Sequence, residues 1–130
     1  MKHDNRPINV DPSDLLSFAW PLSALTSITH RIAGVILFLG IAFGLYALDM
    51  SLSSAAGFDA LKGMLKSPMG MFVTWGLLSA LAYHFVAGIK HLLLDMEFAD
   101  TLEGSNLASK VTVVLSTVLI LLAGVWVIQG

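Results

Sequence analysis

The sequence predicts an all-α integral membrane protein with three transmembrane helices. Composition points there first. Of the 130 residues, 56% are hydrophobic and 12% charged, with a mean hydropathy of +0.81. A soluble domain of this size carries about 25% charged residues. The second observation is where the few charges fall. They divide the chain into three uncharged stretches, each close to the roughly 20 residues that cross a bilayer as a helix.

The same numbers exclude other classes. Net charge is −2 and no basic patch exists, so nucleic acid is not an expected partner. Without cysteine the chain forms no disulfide, holds no iron–sulfur cluster by thiolates and attaches no c-type haem. Any haem must be held by histidine or methionine. One domain is expected over residues 1–130.

Residues 1–20 form a polar, proline-punctuated N-terminal segment. Its first 16 residues are too polar for a signal peptide, so insertion is expected through the first apolar helix. Leu15 to Trp20 suit the membrane interface, with Trp20 as an anchor. The first span is residues 22–49. Its uncharged core lies between Arg31 and Asp49, and the helix is expected to begin after Pro21. Residues 51–66 are small and polar, which suits a loop with a short surface helix. The second span, residues 67–94, rests on the uncharged run between Lys66 and Lys90. Residues 95–109 carry Asp95, Glu97, Asp100 and Glu103 and read as a solvated turn. The third span, residues 108–129, follows from the apolar run after Lys110.

Three spans put the N-terminus and the second connection on one face. That face holds Lys2, Arg6, Arg31, Lys90 and Lys110, against Lys62 and Lys66 opposite. The positive-inside rule then predicts a cytoplasmic N-terminus and an external C-terminus.

Two clusters carry chemistry, and this topology puts them at the same face. The first is Ser27-Ile-Thr-His30-Arg31. Ser27 and Arg31 are four apart and share a helix face, and His30 adjoins Arg31. A hydroxyl, an imidazole and a guanidinium can meet a polar head group there. Equally, Arg31 can snorkel to lipid phosphates while Ser27 bonds back to its own helix. The second cluster runs from His84 through Gly88, Lys90 and His91 to Asp95. His84 lies within the second apolar span, where an ionisable group is costly unless it has a partner. A haem iron accepts such an imidazole as an axial ligand, and a hydrogen bond to a neighbouring helix would also satisfy it. Gly88, four residues on, lets a flat macrocycle or another helix approach. Haem b needs an imidazole at depth and cations near the surface. His84 meets the first need, and His30 with Arg31 meets the second. His3, His30 and His91 read as peripheral, so a second axial ligand must come from another chain. The glycines at 34, 40 and 44 suit close helix packing.

At these clusters the chain resembles the cytochrome b556 membrane-anchor subunits of succinate dehydrogenase, respiratory complex II. That family's first motif begins Arg-Pro and ends Ser-x-x-His-Arg; here it reads Arg6-Pro7…Ser27-Ile-Thr-His30-Arg31. Its second motif is His-x3-Gly-hydrophobic-Arg-His, then Asp; here it reads His84…Gly88-Ile89-Lys90-His91…Asp95. Three positions depart from the pattern: Lys90 stands for arginine, Ala33 for serine or threonine, and Glu97 for a small residue. The resemblance implies a helical bundle built with a second membrane-anchor subunit in a bacterial inner membrane. It implies that His84 is an axial ligand of haem b, the other ligand coming from that second subunit. It places His30 and Arg31 near the haem propionates. Ser27 and Arg31 would line the ubiquinone site, where the chain meets the iron–sulfur subunit. Succinate is oxidised in the flavoprotein subunit, which this chain does not replace. The rivals are a quinol:fumarate reductase anchor, a purely structural anchor, and a small transporter or channel subunit. The last needs polar residues at several depths, and spans one and three offer almost none below Arg31.

Overall fold

The computed structural model describes residues 13–98 and 101–130, except for the side chain of Leu15. The Arg6-Pro7 motif, the polar start of the chain and Asp100 lie outside these residues. The described residues form a short 3-10 turn (Asp14–Leu16) and four helices: α1 (Leu22–Ser53), α2 (Ala55–Lys66), α3 (Pro68–Asp95) and α4 (Leu102–Gln129). Three of them, α1, α3 and α4, are long and apolar enough to cross a membrane.

Each boundary has a local cause. Pro21 precedes α1 in extended conformation, as its fixed φ and missing donor allow. Ser54 ends α1 and caps α2, its hydroxyl accepting from Gly57 N at 3.0 Å. Ser67 does the same for Gly70 N at 3.0 Å, and Pro68 follows at the first turn of α3, the position where proline is pre-organised. The turn between α3 and α4 is shorter than the sequence suggested. Thr101 caps α4 by accepting from Gly104 N at 3.1 Å, so the helix starts at Leu102, six residues before the predicted residue 108. The polar residues in that stretch form the first turns of a helix, because several of them face neighbouring helices.

Helix α3 lies between α1 and α4, which also touch each other, and α2 leans on α1 and α3. The interior is small and hydroxylated. Its buried members are Ala33, Ala80, Val86 and Ala87 together with Thr26, Lys90, Ser109, Thr112 and Ser116. Large apolar side chains face outward; Phe38 is 73% and Ile128 78% exposed. Between membrane helices there is no hydrophobic drive to bury leucine, so small residues and interhelical hydrogen bonds make the contacts.

Several expectations change on this point. Gly34 and Gly40 do pack closely, against His84 and Leu77, but a Cβ at Gly44 would meet nothing within 4 Å. Trp75 keeps an exposed face while its indole N–H donates to Ile120 O at 3.0 Å and its ring lies over Gly124. It clamps α3 to α4. Span three is also richer in buried polar groups than its apolar composition implies. Ser109, Thr112 and Ser116 are spaced by three and four residues, the spacing that keeps them on one face of α4.

Candidate functional site

The site forms where the N-terminal third of α1 crosses the C-terminal half of α3. Three side chains from α1 reach it, and each hydroxyl nearby has a definite state. Thr26 donates to Ser23 O at 2.9 Å and Thr29 to Leu25 O at 2.7 Å. Ser27, between them, makes no hydrogen bond to any described residue and is half-buried. It has not bonded back to its helix, so its donor remains available to a ligand. Arg31, one turn further on the same face, is exposed and forms no ion pair with a described carboxylate.

From α3, His84 comes up against α1. A carbonyl can only accept, so the 3.1 Å contact between His84 Nδ1 and His30 O makes Nδ1 the protonated nitrogen. Nε2 then carries the lone pair. Metal-binding histidines are held this way, the second nitrogen fixing tautomer and ring orientation. A Cβ at Gly34 would come 3.1 Å from His84 Cε1, so glycine there is what admits the ring.

His30 does not stay at the periphery. Its ring stacks on His84 with centroids 4.0 Å apart and planes 16° from parallel. It also meets His91 at 5.1 Å and 50°. His84 and His91 stand two turns apart on one face of α3, and the helix crossing inserts the α1 imidazole between them. Gly88 lies beside it, its Cβ position 3.5 Å from His30 Nε2, an ordinary contact distance. His30 Nε2 is itself buried without a hydrogen-bond partner, and a buried polar atom left unpaired invites a ligand.

Deeper than His84, α1 and α3 leave an open groove of about 490 Å³. Its walls include Gly34, Leu37, Gly40, Leu77 and Leu81, with His84 at one end. The shape suits a flat apolar group with a polar edge. Its outer side is open. No group of three or more His, Cys, Asp or Glu among the described residues is arranged to hold a bare metal ion.

One contributor escaped the sequence, and another has partners that the sequence did not show. Tyr83 reaches from α3 to α1, where its hydroxyl donates to Thr26 O at 3.1 Å and stands against the Thr29 hydroxyl. It fixes the turn of α1 that presents Ser27, and only the helix crossing shows it. Lys90, counted from the sequence among the charges of the cytoplasmic face, turns inward. It is 3% exposed and donates to Thr26 Oγ1 at 2.6 Å and Ser109 Oγ at 3.4 Å. It thus points into the bundle, away from the exposed face that carries Arg31.

Known proteins share this chain's pattern over most of its length. It is 36% identical to the succinate dehydrogenase cytochrome b556 subunit of Coxiella burnetii (strain RSA 493 / Nine Mile phase I), across 94% of this chain and 96% of the relative. It is 31% identical to the protein of the same name from Paracoccus denitrificans, across 91% and 88%. Residues 2–123 match the family described as the succinate dehydrogenase/fumarate reductase transmembrane subunit. With its three membrane helices and this match, the chain belongs to the succinate dehydrogenase/fumarate reductase transmembrane subunit family.

Proposed function

We propose that this chain is a membrane-anchor subunit of a succinate:ubiquinone oxidoreductase, holding haem b jointly with a second anchor subunit and forming part of the ubiquinone-reduction site. The observation that carries this reading is the state of His84. Its Nδ1 is committed to the His30 carbonyl, and the ring stands at the end of an apolar groove, so Nε2 is the nitrogen offered to iron. Both named relatives are cytochrome b556 subunits, which supports a b-type haem. Haem b supplies one-electron storage when bound. The exposed Arg31 guanidinium supplies donors for its propionates, with His30 beside it on α1. The open side of the groove would be covered by the second anchor subunit, which would supply the iron's second protein ligand.

Electrons from succinate leave the flavoprotein subunit through the iron–sulfur subunit and reach ubiquinone at the face bearing Ser27 and Arg31. Ser27 donates a hydrogen bond to a quinone carbonyl, and Arg31 stabilises negative charge developing on that oxygen. The chain lies in a bacterial inner membrane with its N-terminus in the cytoplasm. Succinate oxidation is favoured over fumarate reduction because both relatives carry the dehydrogenase name. A transporter is disfavoured because the polar residues found at depth, Ser109, Thr112 and Ser116, are 0–2% exposed and sealed between helices.

The test is a ratio of two activities in assembled enzyme. Losing a neutral hydrogen bond costs about 0.5–1.5 kcal/mol and a charged one about 1.5–3, and about 1.4 kcal/mol is tenfold in rate. Ser27→Ala should slow quinone reduction about two- to tenfold, and Arg31→Leu more. Succinate oxidation with an acceptor that takes electrons from the soluble subunits should stay near normal. Equal loss of both activities would point to docking, and no loss of either would remove these residues from the site.

A further inference from the structure

Lys90 brings a charge into the seam where α1, α3 and α4 meet. Its Nζ lies between Thr26 Oγ1 at 2.6 Å and Ser109 Oγ at 3.4 Å. Both hydroxyls give their own proton to a helix carbonyl, Thr26 to Ser23 O at 2.9 Å and Ser109 to Ser105 O at 2.8 Å. A hydroxyl has one donor and two lone pairs, so lone pairs are what both turn toward Nζ. Both oxygens accept from Nζ, and Thr26 Oγ1 also lies 3.4 Å from Ser109 Oγ, so the three groups form one buried polar cluster in which an ammonium has two acceptors. No described carboxylate lies within ion-pair distance, the ion pair among these residues being Lys62–Asp59 at 3.1 Å. The charge is buried and uncompensated.

Its place in the bundle gives that charge a use. Lys90 is on the same helix as His84, six residues on, a rise of about 9 Å. Its partner Thr26 stands one turn before His30 on α1. At 3% exposure it is beyond the reach of the counterions that screen surface charges.

We propose that Lys90 is a fixed positive charge that biases the redox site between α1 and α3 toward its reduced state. This rests on the reading of His84 as a haem ligand. Each electron taken up lowers the charge of the site by one; no bond is made or broken, and no proton leaves Lys90. A unit charge roughly 10 Å away, at an effective dielectric of about 20, shifts such an equilibrium by about tenfold. For a one-electron couple that is about 59 mV.

Redox titration of the haem in assembled, membrane-embedded complex tests this. Lys90→Gln keeps hydrogen bonding without charge, Lys90→Met removes both, and Lys90→Arg keeps charge. Ser109→Asp leaves Lys90 in place and sets a carboxylate beside it. The Gln, Met and Asp variants should lower the reduced-to-oxidised ratio at a fixed potential about tenfold, with little dependence on salt. The Arg variant should stay within about twofold of wild type. Neutralised variants that keep full haem and an unchanged midpoint would overturn the proposal. So would an equal shift in the Arg variant, which would make geometry the cause. Failure of every neutralised form to assemble beside an assembled Arg form would make Lys90 a packing element and overturn it too. A wild-type complex without haem would instead remove the reading of His84, and it would be seen before any variant is made.

Discussion

Thr26 and Ser27 are neighbours of similar chemistry with opposite roles. The Thr26 hydroxyl is buried, donating to its own helix and accepting from Lys90. Ser27 faces outward with its donor unspent. Sequence spacing separates the two faces but cannot say which hydroxyl is free, because that depends on what α3 and α4 bring to the seam. The Ser27, His30, Arg31 and His84 candidates were legible as residue types at chemically sensible spacing. The stacking of His30 on His84 was not, since it arises from two helices crossing. Glu97 shows the same limit at a backbone position. It has φ of +62°, and Phe98 N and Glu97 N bond to Leu93 O at 2.9 Å and Leu94 O at 3.0 Å. This is a Schellman ending with a glutamate where glycine is favoured. A left-handed non-glycine residue costs about 1–2 kcal/mol, and glycine loses more entropy on folding. Glu97→Gly should therefore stabilise the complex by about 0.5–1 kcal/mol, read as a higher melting temperature. A lower one would mean that the glutamate side chain has a compensating partner.

At the scale of elements, the three spans follow from charge positions, since a helix that must cross hydrocarbon cannot scatter ionised residues along its length. The connections are less legible because capping decides them. The corner between α2 and α3 is the clearest case. Ser67 Oγ donates to Met64 O at 2.6 Å and accepts from Gly70 N. A Cβ on Gly70 would come 1.9 Å from Met64 O, a backbone atom that cannot rotate away. Gly70→Ala should force the corner open at a cost of about 1–3 kcal/mol, seen as less assembled complex and earlier unfolding. Gly44→Ala, which meets nothing within 4 Å in this chain, is its control. Wild-type stability in the Gly70 variant would show that the corner is not built this tightly. Across α1 and α3, Tyr83→Phe removes two hydroxyl contacts. It should cost about 1 kcal/mol and weaken quinone binding through the displaced Ser27. Unchanged quinone affinity would free Ser27 from Tyr83.

The whole molecule is a membrane protein turned outward. Its seams hold alanine, serine and threonine, and its large apolar residues face lipid or another subunit. This is why composition sufficed for the fold class but not for the interior. The polar side chains that hold the bundle together are few, and their partners lie on other helices. Orientation is a property of the same scale. The five-to-two charge split read from the sequence predicts that the Ser27–Arg31 face lies in the cytoplasm, and a reporter fused after Gly130 should then be active only outside it. Activity inside would separate this face from any cytoplasmic dehydrogenase. The central claim is that His84 offers its Nε2 to a haem shared with a second subunit. Optical and EPR spectra of the assembled complex, wild type beside His84→Leu, test it most directly. The wild type should show a reduced b-type band and a low-spin, two-histidine signature, and His84→Leu should lose that low-spin signature. Indistinguishable spectra in the two proteins would contradict the account.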